Sequence, residues 1–232
     1  MANIDDVVAK IVGRRANIPA RRSLLVGVSG IDSSGKGYIA KQIEARLGQH
    51  SIAAANIHAD DWLNLPATRL SAIEPAKHFY ENAVRFDELF AKLVVPLRDH
   101  RSVNVVADSV EETASSYHKH SYNIRNVGVV VVEGIFLLKR DHRKLFDLTI
   151  WVDCSFPTAL ARALARAQEG LSPAETIHVY ETIYFPAQEI HFARDNPREA
   201  AHLILNNDSA LTKFASSTHV LPNLRSKRSL RL

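Results

Sequence analysis

The sequence of 232 residues predicts an α/β domain in which a parallel sheet carries helices on both of its faces. Two observations lead to this prediction. Short apolar runs, of which the four valines at 129–132 are the clearest, have the continuous hydrophobicity of strands that are buried on both sides. Longer segments between these runs carry apolar residues at helical spacing, such as Ile39, Ile43 and Leu47. Strands that alternate with helices in this way form parallel sheets.

The individual elements follow from the same two patterns. Strands are predicted at residues 24–28, 52–59, 103–107, 129–132 and 148–152, with a last strand at 202–205. Helices are predicted at residues 35–47, 79–97, 157–168 and 172–192, and Pro186 is expected to kink or interrupt the last of them. Segment 66–75 is predicted to be loop, and the polar segment 111–125 is predicted to be a hairpin or a lid over a substrate.

The chain divides into one domain and two flanking segments. Residues 23–210 contain the alternating pattern and form the domain. Residues 1–22 begin with acidic residues and continue with Val7, Val8 and Ile11, so they are predicted to form a helix that packs on the domain. Residues 211–232 form a basic tail, for which a solvated end is the first interpretation and a contact with nucleic acid or a partner the second.

Composition narrows the class of protein. The formal charge of +4 suits phosphorylated ligands, and binding of nucleic acid is not the expectation. Cys154 is the only cysteine, so no intrachain disulfide can form, which fits a cytoplasmic protein. No run approaches the roughly 20 apolar residues of a membrane span, and the N-terminus lacks the basic head and apolar block of a signal peptide.

The segment directly after the first predicted strand has the pattern of a phosphate-binding loop. In the pattern G-x-x-x-x-G-K between a strand and a helix, backbone N–H groups and the helix dipole hold a phosphate. The predicted nucleotide-binding residues are Gly30, Ile31, Asp32, Ser33, Ser34, Gly35, Lys36 and Gly37. Lys36 supplies a cation for the outer phosphates. Gly37 stands where Ser or Thr would offer Mg²⁺ a hydroxyl, so water must take that place.

Carboxylates follow two of the predicted strands. Glu133 comes directly after the four valines, and Asp60 and Asp61 close the strand at 52–59. Ligands of open α/β sheets bind at the carboxyl ends of the strands. Glu133 is therefore predicted to hold Mg²⁺, with Asp60 as a second candidate, and one of the two aspartates is expected to orient and deprotonate an acceptor hydroxyl. A solvated strand end and a turn cap are the alternative interpretations.

Two further groups of residues carry chemistry. Arg162 and Arg166 lie four residues apart on one face of a predicted helix, where guanidinium groups could neutralise a phosphoryl group in transfer. An exposed basic helix face is the alternative. Segment 115–122 contains Tyr117 and His120, which could stack on or hydrogen-bond a substrate ring, or belong to an ordinary polar loop.

Taken in order along the chain, these motifs resemble the uridine kinase and phosphoribulokinase family of P-loop kinases. The resemblance spans about residues 23–208 and is sharpest in the phosphate loop and in the Glu-Gly-Ile-Phe-Leu-Leu block at 133–138. Looser parts are Asp-Asp-Trp at 60–62 and Phe-Asp-Glu-Leu at 86–89. It implies a P-loop NTPase-type parallel sheet with helices on both faces, a lid helix, and a substrate-side hairpin or loop.

The resemblance also implies roles for single residues. Asp60 falls on the aspartate that acts as base on the acceptor hydroxyl, and Glu133 on the acidic residue of the second nucleotide motif. Arg162 and Arg166 match arginines of the lid helix, and together with Asp60 and Lys36 they are the expected catalytic residues. The expected substrate contacts are Asp61, Glu81, Tyr117 and His120.

These observations predict an ATP- and Mg²⁺-dependent kinase that phosphorylates a hydroxyl of a small metabolite, with a nucleoside such as uridine or cytidine as the first candidate. A kinase for pantothenate, glycerate or a sugar phosphate would share the phosphate-side residues. A nucleotide-binding regulatory protein with little turnover is the other alternative, and Gly37 is the reason to consider it. A homo-oligomer is left as an alternative to a monomer.

Overall fold

The computed structural model describes residues 2–111, 113–167 and 170–208. Its strands are β1 (Leu24–Gly30), β2 (Ala54–His58), β3 (Val103–Ser109), β4 (His118–Ile124), β5 (Val129–Gly134), β6 (Leu148–Asp153) and β7 (Leu203–Asn206). Its helices are α1 (Ile4–Ala16), α2 (Lys36–Gln49), α3 (Pro66–Arg69), α4 (Pro75–Asn82), α5 (Phe86–Leu89), α6 (Val95–His100), α7 (Phe156–Arg166), α8 (Pro173–Val179), α9 (Phe185–Asp195) and α10 (Pro197–Ala200).

Five strands form a parallel sheet in the order β2-β5-β1-β6-β7. Strand β5 shows why the run of valines is continuous: alternate side chains of a strand point to opposite faces. Val130 and Val132 join the larger apolar core on one face, and Val129 and Val131 join the core on the other face. The α/β fold with a parallel central sheet is therefore as predicted.

Helix α1 packs on the second of these cores. The side chain of Asn3 accepts hydrogen bonds from the backbone N–H groups of Asp5 and Asp6, which fixes the start of the helix. Val7, Val8 and Ile11 are buried together with the apolar residues of α2. The basic tail at 211–232 and the predicted end of the helix at residue 168 lie outside the described residues.

The segment from residue 66 to residue 100 differs from the prediction. The expected loop at 66–75 contains α3, and α4 begins at Pro75. The single helix expected at 79–97 is broken, because Leu63 and Val84 form a β-bridge and the backbone N–H of Arg85 donates to the Trp62 carbonyl at 2.9 Å. A tertiary contact with the end of β2 thus overrides the local helical pattern.

Two prolines lie inside long helical stretches that they do not end. Pro96 opens α6 directly after the π-helical turn Phe90–Val94, and Pro186 opens α9 directly after the π-helical turn Tyr180–Tyr184. A π turn shifts the backbone hydrogen bonds by one residue, so the missing proline N–H falls at the start of a new helical segment. The expected interruption at Pro186 takes this form.

Strands β3 and β4 form a separate antiparallel hairpin beside the main sheet. The hairpin is joined to the end of β2, because the backbone N–H of Val110 donates to the Asp61 carbonyl at 3.2 Å. The polar segment 111–125 therefore supplies one strand of a hairpin, as predicted. Across the described ranges, every helix is too short or too polar to cross a membrane.

Candidate active site

The loop between β1 and α2 has the backbone of a phosphate cradle. Gly35 has a φ of 91°, a region that L side chains rarely adopt, and a Cβ at this position would lie 2.4 Å from the Asn207 side chain. A Cβ at Gly30 would lie 2.7 Å from the carbonyl oxygen of Val152. Both glycines are thus required by close approach. Lys36 is buried, and its Nζ donates to the Ile31 carbonyl at 2.9 Å, so the ammonium group lies over the loop.

The two predicted arginines reach this loop from α7. Arg162 Nη1 donates to the Ser34 carbonyl at 3.1 Å, and Arg166 Nη2 donates to Ser33 Oγ at 3.2 Å. Asn207, just after β7, donates from Nδ2 to the same Ser34 carbonyl at 2.7 Å. Guanidinium groups therefore stand at the edge of the cradle, where they can contact the oxygens of a bound phosphate.

The predicted carboxylates come together at the carboxyl ends of β2 and β5. His58 and Glu133 are paired in the register of the two strands, and His58 Nδ1 lies 2.7 Å from Glu133 Oε1. A Cβ built on Gly37 would lie 3.5 Å from the same Glu133 oxygen. Glu133 thus lies next to the position that carries the hydroxyl in the usual form of the loop. It is almost fully buried, with 5% of its surface exposed.

Asp60 lies deep in the cleft between the loop and β2. Its side chain is exposed to solvent in the cleft, although many protein atoms surround it and reduce its hydration. This desolvation and the charge of Glu133 raise the pKa of Asp60 to about 6, and the charge of Lys36 opposes the shift. Desolvation also raises the pKa of Asp61, and the hydrogen bond to Glu133 raises the pKa of His58. A carboxyl with a pKa near neutrality suits a general base.

The acidic pair of Glu133 and Asp60 fits a divalent cation. Their charges disfavour each other, which is the arrangement that a bound cation would relieve. Among the described residues, no group of three or more His, Cys, Asp or Glu side chains lies close enough together to hold a metal ion. Mg²⁺ does not need such a cage, because it keeps several waters and binds through one or two carboxylates and the substrate phosphates. Gly37 is consistent with a water in place of the hydroxyl ligand.

Two cavities meet at Asp60 and Leu63. The first is an open cleft of about 510 Å³ between β2 and the hairpin, lined among others by Asp61, His118 and His120. The second is a smaller cavity whose lining includes Asp32, Asp60, Phe79, Ile135, Tyr184 and Gln188. Asp60 therefore faces both spaces, and the phosphate loop borders the second one through Asp32.

Two predicted substrate contacts lie elsewhere. Glu81 is on α4, and its Oε1 accepts a hydrogen bond from Arg194 Nη1 of α9 at 3.3 Å. This contact lies on the outer side of the two helices, and Glu81 is not among the residues that line either cavity. Glu81 is exposed in this structure and lies outside the lining of both cavities, so its role as a substrate contact stays a prediction. Tyr117 contacts the segment after Leu63: its hydroxyl accepts from the Leu65 backbone N–H at 3.3 Å, and the Arg85 guanidinium lies over its ring. Its role as a substrate contact stays a prediction.

Four residues near the site were not found from the sequence. His58 contacts Glu133, and Asn207 hydrogen-bonds the loop. Tyr180 donates to Asp32 and lies 2.9 Å from Ser33 Oγ, and Gln188 lines the smaller cavity. Only His58 had a sequence signal, since it lies two positions before Asp60 at the end of the same strand. The others come from remote segments that only the fold brings to the loop.

A parallel sheet with a phosphate loop after its first strand and helices on both faces defines the P-loop class of α/β proteins. Several solved structures with a similar fold are described as kinases. One is described as a possible uridine kinase from Bacillus stearothermophilus, with a TM-score of 0.68 and 19% identity over 87% of this chain and 96% of that one. Another is described as a putative fructose transport system kinase from Silicibacter sp. TM1040, with a TM-score of 0.66 and 19% identity over 88% and 100%.

Within this class, the chain belongs to the phosphoribulokinase / uridine kinase family, whose model matches residues 25–183. Uridine kinase from Staphylococcus epidermidis is 24% identical over 89% of this chain and 99% of its own length. Uridine kinase from Staphylococcus carnosus is 29% identical over 70% and 77%. Uridine-cytidine kinase A from Dictyostelium discoideum is 26% identical over 72% of this chain, which spans 33% of that longer protein. The predicted family is thus confirmed.

Proposed function

We propose that this protein is an ATP-dependent kinase that transfers the γ-phosphoryl group to a hydroxyl of a small metabolite, with a nucleoside such as uridine or cytidine as the first acceptor to test. The observation that supports this best is the position of Asp60. Its carboxylate lies within the electrostatic reach of Lys36 and Asp32 of the phosphate loop, and it faces both cavities beside that loop. A base placed between a phosphate site and an acceptor site is what phosphoryl transfer requires.

In this mechanism the protein acts mainly by positioning and charge. The loop amides and Lys36 hold the β- and γ-phosphates. Asp60 accepts a hydrogen bond from the acceptor hydroxyl and aims its oxygen at the γ-phosphorus. It takes the proton as the new O–P bond forms and the bond between the γ-phosphorus and the β–γ bridging oxygen breaks, so that ADP leaves. Arg162 and Arg166 neutralise the oxygens of the group in transfer. Glu133 and Asp60 are the residues that would hold Mg²⁺, which supplies charge neutralisation on the phosphates when bound.

The names of the related uridine kinases support a nucleoside as acceptor, and so does the open cleft beside Asp61 and His120, which has room for a heterocyclic base. The position of Glu81 favours a second candidate. Because its carboxylate pairs with Arg194 outside the cavities, the acceptor would lack the contact that the resemblance implies. A kinase for another polar metabolite, such as pantothenate, glycerate or a sugar phosphate, therefore stays in consideration.

The experiment is an assay of ADP release with ATP, Mg²⁺ and single acceptors from a panel of nucleosides, sugars, sugar phosphates, glycerate and pantothenate. We expect ADP release that depends on one class of acceptor, and the phosphorylated product of that acceptor by mass spectrometry. The Asp60→Asn variant is the matched control, because it removes the base while keeping a side chain of the same shape. ATP binding without acceptor-dependent ADP release across the whole panel would favour a nucleotide-binding regulatory protein instead.

A further inference from the structure

Gln188 is a buried amide without a hydrogen-bond partner beside the candidate base. It lies in α9, two residues after Pro186, and only 1% of its surface is exposed. Within the described residues, neither its Nε2 nor its Oε1 has a hydrogen-bond partner. Buried polar groups in folded proteins are almost always paired, so an exception requires an explanation. A side chain of this kind destabilises the fold unless something else binds to it.

The surroundings of Gln188 indicate what binds there. It lines the smaller cavity together with Asp60 and Asp32, which connects it to the candidate base and to the phosphate loop. Apolar groups, among them Phe79 and Ile135, form other parts of the wall. A ligand that hydrogen-bonds the Gln188 amide therefore does not have to break a hydrogen bond between that amide and the protein. The amide offers two donors and one acceptor, so it is complementary to a group that both donates and accepts, such as a hydroxyl.

The size of the cavity limits the group that can enter. Its volume is about 30 Å³, which admits one or two water-sized groups, and this is enough for a hydroxyl on a carbon but not for a heterocyclic ring. A ring fits the open cleft of about 510 Å³ on the other side of Asp60. The two spaces thus accept different parts of one acceptor, and the part next to Gln188 is a small hydroxyl-bearing one.

We propose that Gln188 is a specificity-determining residue that hydrogen-bonds a second hydroxyl of the acceptor, close to the hydroxyl that Asp60 activates. This inference rests on the proposed kinase function and names the substrate class: a polyhydroxylated acceptor, such as a sugar, a sugar acid or the ribose of a nucleoside. An acceptor with a single hydroxyl leaves the amide unpaired in the bound state as well, and the site rejects it for that reason.

The test compares an acceptor with its deoxy analogue in the wild-type protein and in Gln188→Met, which has nearly the same volume but no hydrogen-bonding atoms. If uridine is the acceptor found by the panel, the analogue is 3′-deoxyuridine; for a sugar, it is the analogue that lacks the neighbouring hydroxyl. We expect wild type to prefer the full acceptor by about tenfold or more in kcat/KM, and the variant to reduce this ratio to near one while its affinity for ATP is unchanged.

A second readout separates ligand binding from a structural role. Because the variant removes an unpaired buried amide, its melting temperature without ligands should rise by about 2–4 °C. Gln49→Leu, at the exposed end of α2, is the control and should change neither the preference nor catalysis. Gln188→Asn keeps the amide on a side chain that is shorter by one methylene group. Its preference for the full acceptor should lie between those of wild type and Gln188→Met.

Two outcomes would each overturn the inference: an unchanged preference in Gln188→Met, or a melting temperature of that variant below the wild-type value, which would mean that the amide is paired within the protein. These differ from a failure of the proposed function, in which wild-type protein itself shows no acceptor-dependent ADP release. The inference and the function on which it rests are therefore tested by separate measurements.

Discussion

The substitution Gly37→Ser tests how this chain holds Mg²⁺ without the usual hydroxyl of the phosphate loop. Gly37 is the second residue of α2, its backbone is outside the left-handed region, and a Cβ there meets only Glu133 at ordinary contact distance, with Oε1 at 3.5 Å. The serine side chain therefore fits without displacing its neighbours. Its hydroxyl lies one bond further out, close to the carboxylate that we expect to bind the cation.

The expected magnitudes follow from this geometry. Serine is a better helix residue than glycine by about 0.5 kcal/mol, so the free energy of unfolding without Mg²⁺ should rise by about that amount. A protein hydroxyl that replaces a water ligand of the cation adds a contact worth about 1 kcal/mol net. The concentration of Mg²⁺ that gives half-maximal activity should consequently fall about threefold to tenfold.

The assay measures initial rates against free Mg²⁺ at fixed ATP, together with calorimetric titration of ATP at several concentrations of Mg²⁺. Gly48→Ser is a matched control, because Gly48 lies in the same helix with nothing within 4 Å of its Cβ position. Both variants should gain stability, and only Gly37→Ser should change the requirement for Mg²⁺. An identical requirement in both variants would refute the placement of the cation beside Glu133.

The remaining predictions concern three acidic or basic groups. Lys36→Ala should weaken ATP binding by about tenfold or more and abolish transfer, measured by titration and ADP release, since the loop loses its buried cation. Asp60→Asn should leave ATP binding near the wild-type value and lower kcat by about 10²–10⁴-fold; an unchanged kcat would assign the base to another residue. Asp195 accepts from the Tyr80 hydroxyl at 2.6 Å and lies 2.7 Å from His191 Nδ1, and despite its burial these bonds lower its pKa to about 2. A carboxyl with a lowered pKa stabilises the fold above its unfolded value near 4, and this stability is lost as the pH falls toward 2. The difference in unfolding free energy between wild type and Asp195→Asn should therefore be about 2 kcal/mol at pH 7 and shrink between pH 4 and pH 2 in urea titrations; a constant difference would exclude this role.

The sequence predicted those parts of the fold and site that local patterns determine. Strand β5 is read from four consecutive valines, because burial on both faces leaves no polar position. The loop from Gly30 to Lys36 is read from its spacing, because the cradle needs glycine at fixed places. Since both segments end at the same edge of a parallel sheet, the proximity of Lys36, Asp60 and Glu133 could also be expected.

Other parts depend on contacts between distant segments. The single helix expected at 79–97 is divided because the chain around Val84 pairs with Leu63. Glu81 lies in α4 before this break, and its carboxylate pairs with Arg194 on an exposed face. Gln188 was not found because its neighbours in sequence give no sign that its amide faces a cavity. No local pattern specifies which distant backbone will approach a side chain, so such residues become visible only in the folded molecule.

The hydrogen bond from Asn207 to Ser34 spans 173 positions of the chain and joins the outer edge of the sheet to the nucleotide cradle. Arg162 also connects these two segments, because it donates hydrogen bonds to the backbone carbonyls of Ser34 and Asn207. The shape of the cradle is therefore set partly by Asn207, which directly follows β7 at the edge of the sheet. A nascent chain in which β7 has not yet left the ribosome would lack the contacts of Asn207 with Ser34 and Arg162, so the nucleotide loop would be incompletely held until that strand docks.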